Sequence, residues 1–327
     1  MKIGTIEAGR GEKTFGFLEA TKTNGQFSVH VPLHIIAGAD EGPVLLVQAG
    51  VSGLEIEPAM TLPKLVDEFD VEKMSGTLIL VPLFNTSGFE FEQVNAVWDD
   101  KDLNTLGRGR EDGTVSEQMV FTYYEEAVAK ADAVVDIHTG GQRDYHRYAA
   151  VYPVGDEDGS RDLAVAIGLP HVLLSQPEDQ SMAFEAAKEG KVVVTAWIGG
   201  GPGLRDHRQG DQRRVRNTVL NAMRHLGMLS GALECEDGGQ VTVLRRHTDL
   251  KLKDQRGLTF IDKEKRGKLI KAGENVGYVK HPFTGDLLEE IVATRDGVMV
   301  HGGAAWPIVL EGATLAVLGD VVERVRL

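Results

Sequence analysis

The sequence predicts an α/β fold built on a largely parallel sheet, followed by a small all-β region. Three observations lead there. Short apolar runs alternate with helix-period segments over the first two-thirds of the chain. Each run is bounded by Gly, Asn or Asp and is too short for a buried helix. After "GALECEDGGQ" (231–240) the texture changes to charged segments with closely spaced turn signals, "TGD", "RDG", "HGG" and "LEG". The expected division is an α/β domain over 1–235 and a C-terminal β domain over 240–327.

The elements follow in order. "PVLLVQAG" (43–50) reads as a buried strand, because it is almost continuously apolar rather than alternating. A helix over 57–73 is marked by Met60, Leu62, Leu65, Val66 and Phe69. "GTLILVPLFN" (76–85) is the second strand. The polar stretch 86–115 is long for a connection, which predicts the wall of a binding cleft. Thr114 and Glu117 form a capping-box pattern that opens a helix over 116–130. "ADAVVDIHT" (131–139) and "KVVVTAWIGG" (191–200) are the third and fourth strands. A helix over 212–228 shows Val215, Val219, Met223 and Leu226 near one face and stops at the glycine of "HLGML".

Composition removes several function classes. The chain has 327 residues, enough for one large domain and a smaller one, and a formal net charge of −14, which opposes binding to phosphate backbones and anionic lipid. No apolar run approaches a bilayer span, and "MKIGTIEAGRGEK" contains no apolar signal region. The expectation is a cytoplasmic protein acting on a small molecule, without nucleic acid or membrane, and free to form a homo-oligomer. The single cysteine, Cys235, excludes an internal disulfide and a thiolate zinc site, so a metal would need His, Asp or Glu.

Ligands of open α/β sheets bind beyond the carboxyl ends of the strands. Those ends present Ser52 and Glu55, then Asn85, then Asp136 and His138, then Trp197. Each alone has an ordinary explanation: a turn hydroxyl, a carboxylate in a first helical turn, an Asx turn, a satisfied core histidine. Together, Glu55 and His138 make part of a zinc site, which needs three protein ligands and an open position. Asp136 and His138 are two apart on one strand and share a face, so they can exchange a proton, or Asp136 can orient His138.

The series "AGVSGLEIEP", "VPLFNTSGF", "DDKDLN", "ADAVVDIHTGG", "VVVTAWIGGGPG" and "RDGVMVHGGAAWPIVLEGATLAVLGDV" resembles the succinylglutamate desuccinylase and aspartoacylase family of the zinc carboxypeptidase superfamily. The resemblance spans nearly the whole chain. It implies a mixed eight-stranded sheet between helices, a C-terminal β domain, and hydrolysis of an amide by zinc-activated water. Of the ligands it implies, Glu55 and His138 are present, while the histidine of the His-Gly-x-Glu turn is replaced by Ser52. The "DLNR" motif stands as Asp102, Leu103, Asn104 and Thr105, without its arginine. A second arginine, expected after the "NPxGF" motif, finds only "EQVN" (92–95), leaving Arg108 and Arg110 as substitutes. The glutamate that serves as general base in the family is Trp197 here, and an indole is a donor only.

Three functions accommodate these departures. The first is a remodelled hydrolase of an amide or ester, with zinc held by Glu55, His138 and a third ligand from Glu57, His146 or His207, and Asp144 nearby. His207 would also enter the cleft as an acid or base. The second is a non-catalytic binding protein with a pocket lined by Asn85, Asp102, Asn104, Arg108 and Trp197. The third is a lyase or metal-free enzyme using Asp136 and His138. His30, His34, His171, His225, His247, His281 and His301 have no placement near these strand ends, and are expected to be structural or exposed.

Overall fold

The fold is given by a computed structural model that describes residues 1–140, 146–151, 154, 156–174, 181–200, 209–235, 237–252, 257–302, 308–309 and 314–327. Asp144 and His207 lie outside the described residues. The chain is organised around a single twelve-stranded sheet. Its strands are β1 (Lys13–Lys22), β2 (Ser28–Ala37), β3 (Asp40–Ala49), β4 (Ser75–Val81), β5 (Ala133–His138), β6 (His146–Val151), β7 (His171–Leu174), β8 (Val192–Gly199), β9 (Gln240–Lys251), β10 (Leu269–Ile270), β11 (Gly297–Gly302) and β12 (Thr314–Arg326). They lie in the order β10, β11, β12, β9, β7, β6, β8, β5, β3, β4, β2, β1.

The four strands expected from sequence are β3, β4, β5 and β8, and they form the contiguous run β8, β5, β3, β4 in parallel. All six residues of β5 are buried, as a continuous apolar run requires when helices cover both faces. The sheet is wider and less parallel than the sequence implies. β1 and β2 form an antiparallel hairpin on one margin, β6 runs antiparallel to β8, and β10, β11, β12 and β9 are joined antiparallel on the other margin. The twelve strands replace the expected eight because this hairpin and the late strands hydrogen-bond onto the same sheet. A separate four-stranded sheet unites 257–261, 275–280, 287–292 and 308–309.

Helices α1 (Ile56–Leu65), α4 (Glu157–Ala166) and α6 (Gln209–His225) contribute to one apolar layer, with Leu62, Leu163, Val215 and Val219 fully buried. On the other face lie α3 (Val115–Tyr123) and α5 (Met182–Lys188), burying Met119, Val120, Ala183 and Ala186. A five-residue helix, α2 (Thr86–Glu90), follows β4. The capping box at Thr114 and Glu117 is formed, with Glu117 Oε2 accepting from Thr114 N at 2.7 Å. α1 stops at Leu65, short of the expected 73, and continues as a 3-10 turn. Pro63 near its end lacks an N–H and cannot extend the ladder. Strands β6 and β7 escaped the sequence because each is short and lies between polar segments.

His171 opens β7, and burial, reinforced by the charge of Arg147, pushes its pKa down to about 4. A histidine held neutral in the folded state contributes stability that is present above its ordinary pKa near 6.5 and is lost as pH falls towards 4. The expected loss is on the order of 3 kcal/mol. Urea midpoints measured between pH 7 and 4 should fall less steeply in His171→Gln than in the parent; equal slopes would show that His171 is not the group responsible.

Candidate active site

Strand β3 ends at Ala49, Gly50 turns the chain with φ +67°, and residues 52–55 form a tight turn before α1. Glu55 N donates to Ser52 O at 3.1 Å across this turn. The turn is pressed against α2, for a Cβ on Gly53 would lie 2.0 Å from the carbonyl carbon of Gly88. Only glycine permits that backbone approach. The close contact fixes Glu55 beside the end of β5, where Asp136 and His138 emerge on one face.

The three side chains form a row. Glu55 Oε1 lies 3.1 Å from His138 Nδ1, and His138 Nε2 lies 3.0 Å from Asp136 Oδ2. All three are buried, with residue exposures of 4%, 3% and 1% for Glu55, His138 and Asp136. Thr139 N also donates to Glu55 Oε1 at 3.2 Å, and Ser52 N makes a long contact of 3.4 Å with Oε2. Burial pushes the His138 imidazole towards neutrality, but the flanking Asp136 and Glu55 carboxylates outweigh it and raise its pKa well above the ordinary value. The ring therefore sits between two carboxyl groups whose proximity favours its protonated form. Further into the sheet, Gln48 stands in register with Asp136 and accepts a 2.9 Å hydrogen bond from the Tyr123 hydroxyl. Burial, and then the charge of Asp136, push the Tyr123 phenol pKa well above its ordinary value, so it remains a neutral donor.

Trp197 is paired in register with His138, and its ring stacks on the imidazole at 4.8 Å and 24°. Tyr148 lies on the other side of Trp197 at 6.1 Å and 19°, followed by His301 at 6.4 Å and 22° from Tyr148. His146 stands edge-on to Trp197, Tyr148 and His301 at 5.1, 5.5 and 4.6 Å. Sequence reasoning set His301 aside. Its signal was out of reach, because β11 is separated from β6 in the sheet by β12, β9 and β7 and no local pattern links them.

The remaining sequence candidates sit as follows. Glu57 is buried in the first turn of α1 and accepts from Gly200 N at 3.3 Å, near the end of β8. Asn85 is buried and caps α2, accepting from Gly88 N at 2.8 Å and donating to Val94 O at 3.0 Å. Asp102 caps a 3-10 turn by accepting from Asn104 N at 3.0 Å, and Asn104 is half-buried. Arg108 is exposed and bound to Glu125 and Glu189 at 2.6 and 2.7 Å, while Arg110 pairs with Asp112 at 3.1 Å. Neither arginine is joined by a described contact to the Glu55–His138 pair.

Two protein ligands about 2.0–2.1 Å from one tetrahedral zinc stand roughly 3.3 Å apart, so the 3.1 Å between Glu55 and His138 suits a shared proton or a shared metal. The donor set decides between them. Ser52 Oγ accepts from Leu54 N at 3.3 Å, and a neutral hydroxyl is a weak zinc donor. Among the described residues no three His, Cys, Asp or Glu side chains converge as a metal site. The described residues therefore do not fit the three-ligand zinc that the sequence resemblance implies.

Comparison with known proteins identifies relatives along nearly the whole chain. Residues 41–226 match the Succinylglutamate desuccinylase/Aspartoacylase catalytic domain. The chain is similar to the N-alpha-acetyl-L-2,4-diaminobutyric acid deacetylase of Halomonas elongata, 26% identical over 94% of this chain and 92% of that protein. It is also similar to the product-bound structure of the ectoine utilization protein EutE (DoeB) from Ruegeria pomeroyi, with a TM-score of 0.83, 26% identity, and coverage of 98% and 99% of the two chains. A succinylglutamate desuccinylase/aspartoacylase structure from Rhodobacter sphaeroides shares the fold, with a TM-score of 0.84 at 22% identity over 96% and 97% of the two chains.

Two measurements test this geometry. After dialysis against zinc and washing, the parent protein should retain well under one ion per chain, and Ser52→His should approach one. A parent that keeps near one ion, lost in Glu55→Ala and His138→Ala, would place the third ligand elsewhere, with His207 the first residue to examine. Gly53→Ala should lower the unfolding free energy from urea titration by about 1–3 kcal/mol through the forced separation of the turn from α2; an unchanged midpoint would show that the turn has room.

Proposed function

The chain belongs to the succinylglutamate desuccinylase/aspartoacylase family, and from that premise we propose that it hydrolyses the amide of a small N-acylated amino acid. The observation that carries the proposal is the buried row Glu55, His138, Asp136 at the strand ends, with separations of 3.1 and 3.0 Å. The similarity to a deacetylase along almost the whole of both chains supports the substrate class. Zinc in the family would polarise the carbonyl and acidify water. With two of its three ligands among the described residues, no step here is routed through it.

What these side chains supply is a base backed by a fixed cation. An ionised carboxylate has about four acceptor positions. Glu55 uses three of them for described donors, His138, Thr139 N and the long contact from Ser52 N. The fourth takes a proton from water as the water oxygen adds to the acyl carbon. The C–N bond then breaks, that proton passes to the leaving nitrogen, and the products are a carboxylic acid and an amine. The clamped imidazolium of His138 offsets the negative charge that develops beside it, and Asp136 keeps the ring charged and aligned.

A second function, binding without turnover, is favoured by one observation. Trp197 stands where the family has its general base, and both nitrogens of the imidazole it covers are already engaged. Turnover separates the two. Acid and amine release from N-acetylated amino and diamino acids, followed by NMR, should be detectable and should fall about 10²- to 10⁴-fold in Glu55→Gln with KM little changed. Binding of the same compounds with no product, in the parent as in Glu55→Gln, would replace the hydrolase with the binding protein.

A further inference from the structure

The row of rings leads away from His138 into a cavity of about 180 Å³. Tyr148 and His301 belong to the row and to the cavity wall alike, so the cavity continues the cleft. Leu173, Val300 and Val317 add apolar walls, in a compact cluster with Leu244 and Val298 against which Tyr148 packs, and Thr314 and Arg246 add polar ones. The clustered aliphatic residues come from β7, β9, β11 and β12 and are buried, so the described apolar wall is built on sheet strands. On the scale of about 30 Å³ per water-sized group, it has room for roughly six heavy atoms.

Among the described lining residues Arg246 carries a fixed charge, and that charge is already answered by a carboxylate. Its Nε donates to Asp249 Oδ1 at 2.9 Å, and its Nη2 pairs with Asp249 Oδ2. A fork committed in this way presents its plane, with the charge answered by its partner. The ring faces of Tyr148 and His301 and the branched side chains of Leu173, Val300 and Val317 favour a neutral ring or branched hydrocarbon as the bulk of the occupant, with Thr314 and Arg246 at its polar part.

We propose that this cavity is a specificity pocket for one arm of the substrate: an aromatic or branched apolar group of about six heavy atoms, either the acyl group or the amino-acid side chain. The proposal rests on the amide-hydrolase function above for its scissile bond, but not for the binding it predicts.

Calorimetric binding distinguishes the two sources and does not need turnover. One series varies the acyl group on glycine, from acetyl through isovaleryl and benzoyl to 4-phenylbenzoyl. The other varies the amino acid under a constant acetyl group, from alanine through leucine to phenylalanine. In one series the Kd should tighten about ten- to one hundred-fold up to the six-atom group and weaken beyond it, and that series identifies the arm. Val300→Phe, which fills the cavity, should bring the ratio of large to small ligand affinity close to one, while Leu173→Ala should move the optimum to a larger group. Affinity independent of size in both series, or a preference that survives Val300→Phe, overturns the pocket. A size optimum without any turnover keeps the pocket and removes the hydrolase.

Discussion

Three ionisable side chains buried in a line are the constraint from which the rest of the site follows. Taking Glu55, His138 and Asp136 out of water costs several kcal/mol for each charge, and removal of one partner would leave another uncompensated. The geometry must therefore be held without slack. β5 supplies Asp136 and His138 at a spacing of two on a strand flanked by parallel neighbours on both sides. The turn after β3 brings Glu55 to the imidazole, and that turn keeps its place because Gly53 lies backbone to backbone against α2. Trp197 covers the ring that the two carboxylates hold. The elements that meet here come from four separate stretches of sequence, and each is fixed by a contact that tolerates little variation.

The departures from the family pattern acquire physical meaning once they are seen together. A histidine in place of Ser52 would complete a metal site; with Ser52 there, the Glu55–His138 gap is spanned by a hydrogen bond. A carboxylate in place of Trp197 would add a third anion beside Asp136 and Glu55, and without a divalent cation that charge would have no counterpart. An aromatic face over an imidazolium is electrostatically favourable instead. The replacement of a histidine by Ser52 and of a carboxylate by Trp197, which the sequence resemblance implies, would thus be compatible changes.

Much of the interior was legible in the sequence because unbroken apolar runs have few structural interpretations. β3, β4, β5 and β8 were identified in this way, as was the helix opened by Thr114 and Glu117. The row of Glu55, Asp136 and His138 was legible from strand ends and motif resemblance. The sheet margins were not, since an amphipathic hairpin such as β1–β2 and short strands such as β7 reveal their partners only through long-range pairing. The surroundings of Arg108 were not legible either, since the carboxylates that hold it, Glu125 on the turn after α3 and Glu189 just past α5, lie far from it in sequence. His301 and Tyr148 came together for reasons no local pattern carries, since their strands are separated by β7, β9 and β12 in the sheet.

That ordering of strands also divides the ionic row from the cavity. β5 and the turn after β3 carry the row, and β8 lies beside β5 after a connection that includes β6 and β7. The wall of the cavity is completed by β11 and β12, which follow the four-stranded sheet's first strands in the chain and join the main sheet at the margin of β9. The row is drawn from Glu55, Asp136 and His138, the cavity from Tyr148, Leu173 and residues between 246 and 317. Because the two share no described side chain, a substitution in the cavity wall can alter what is held there without removing a charge from the row.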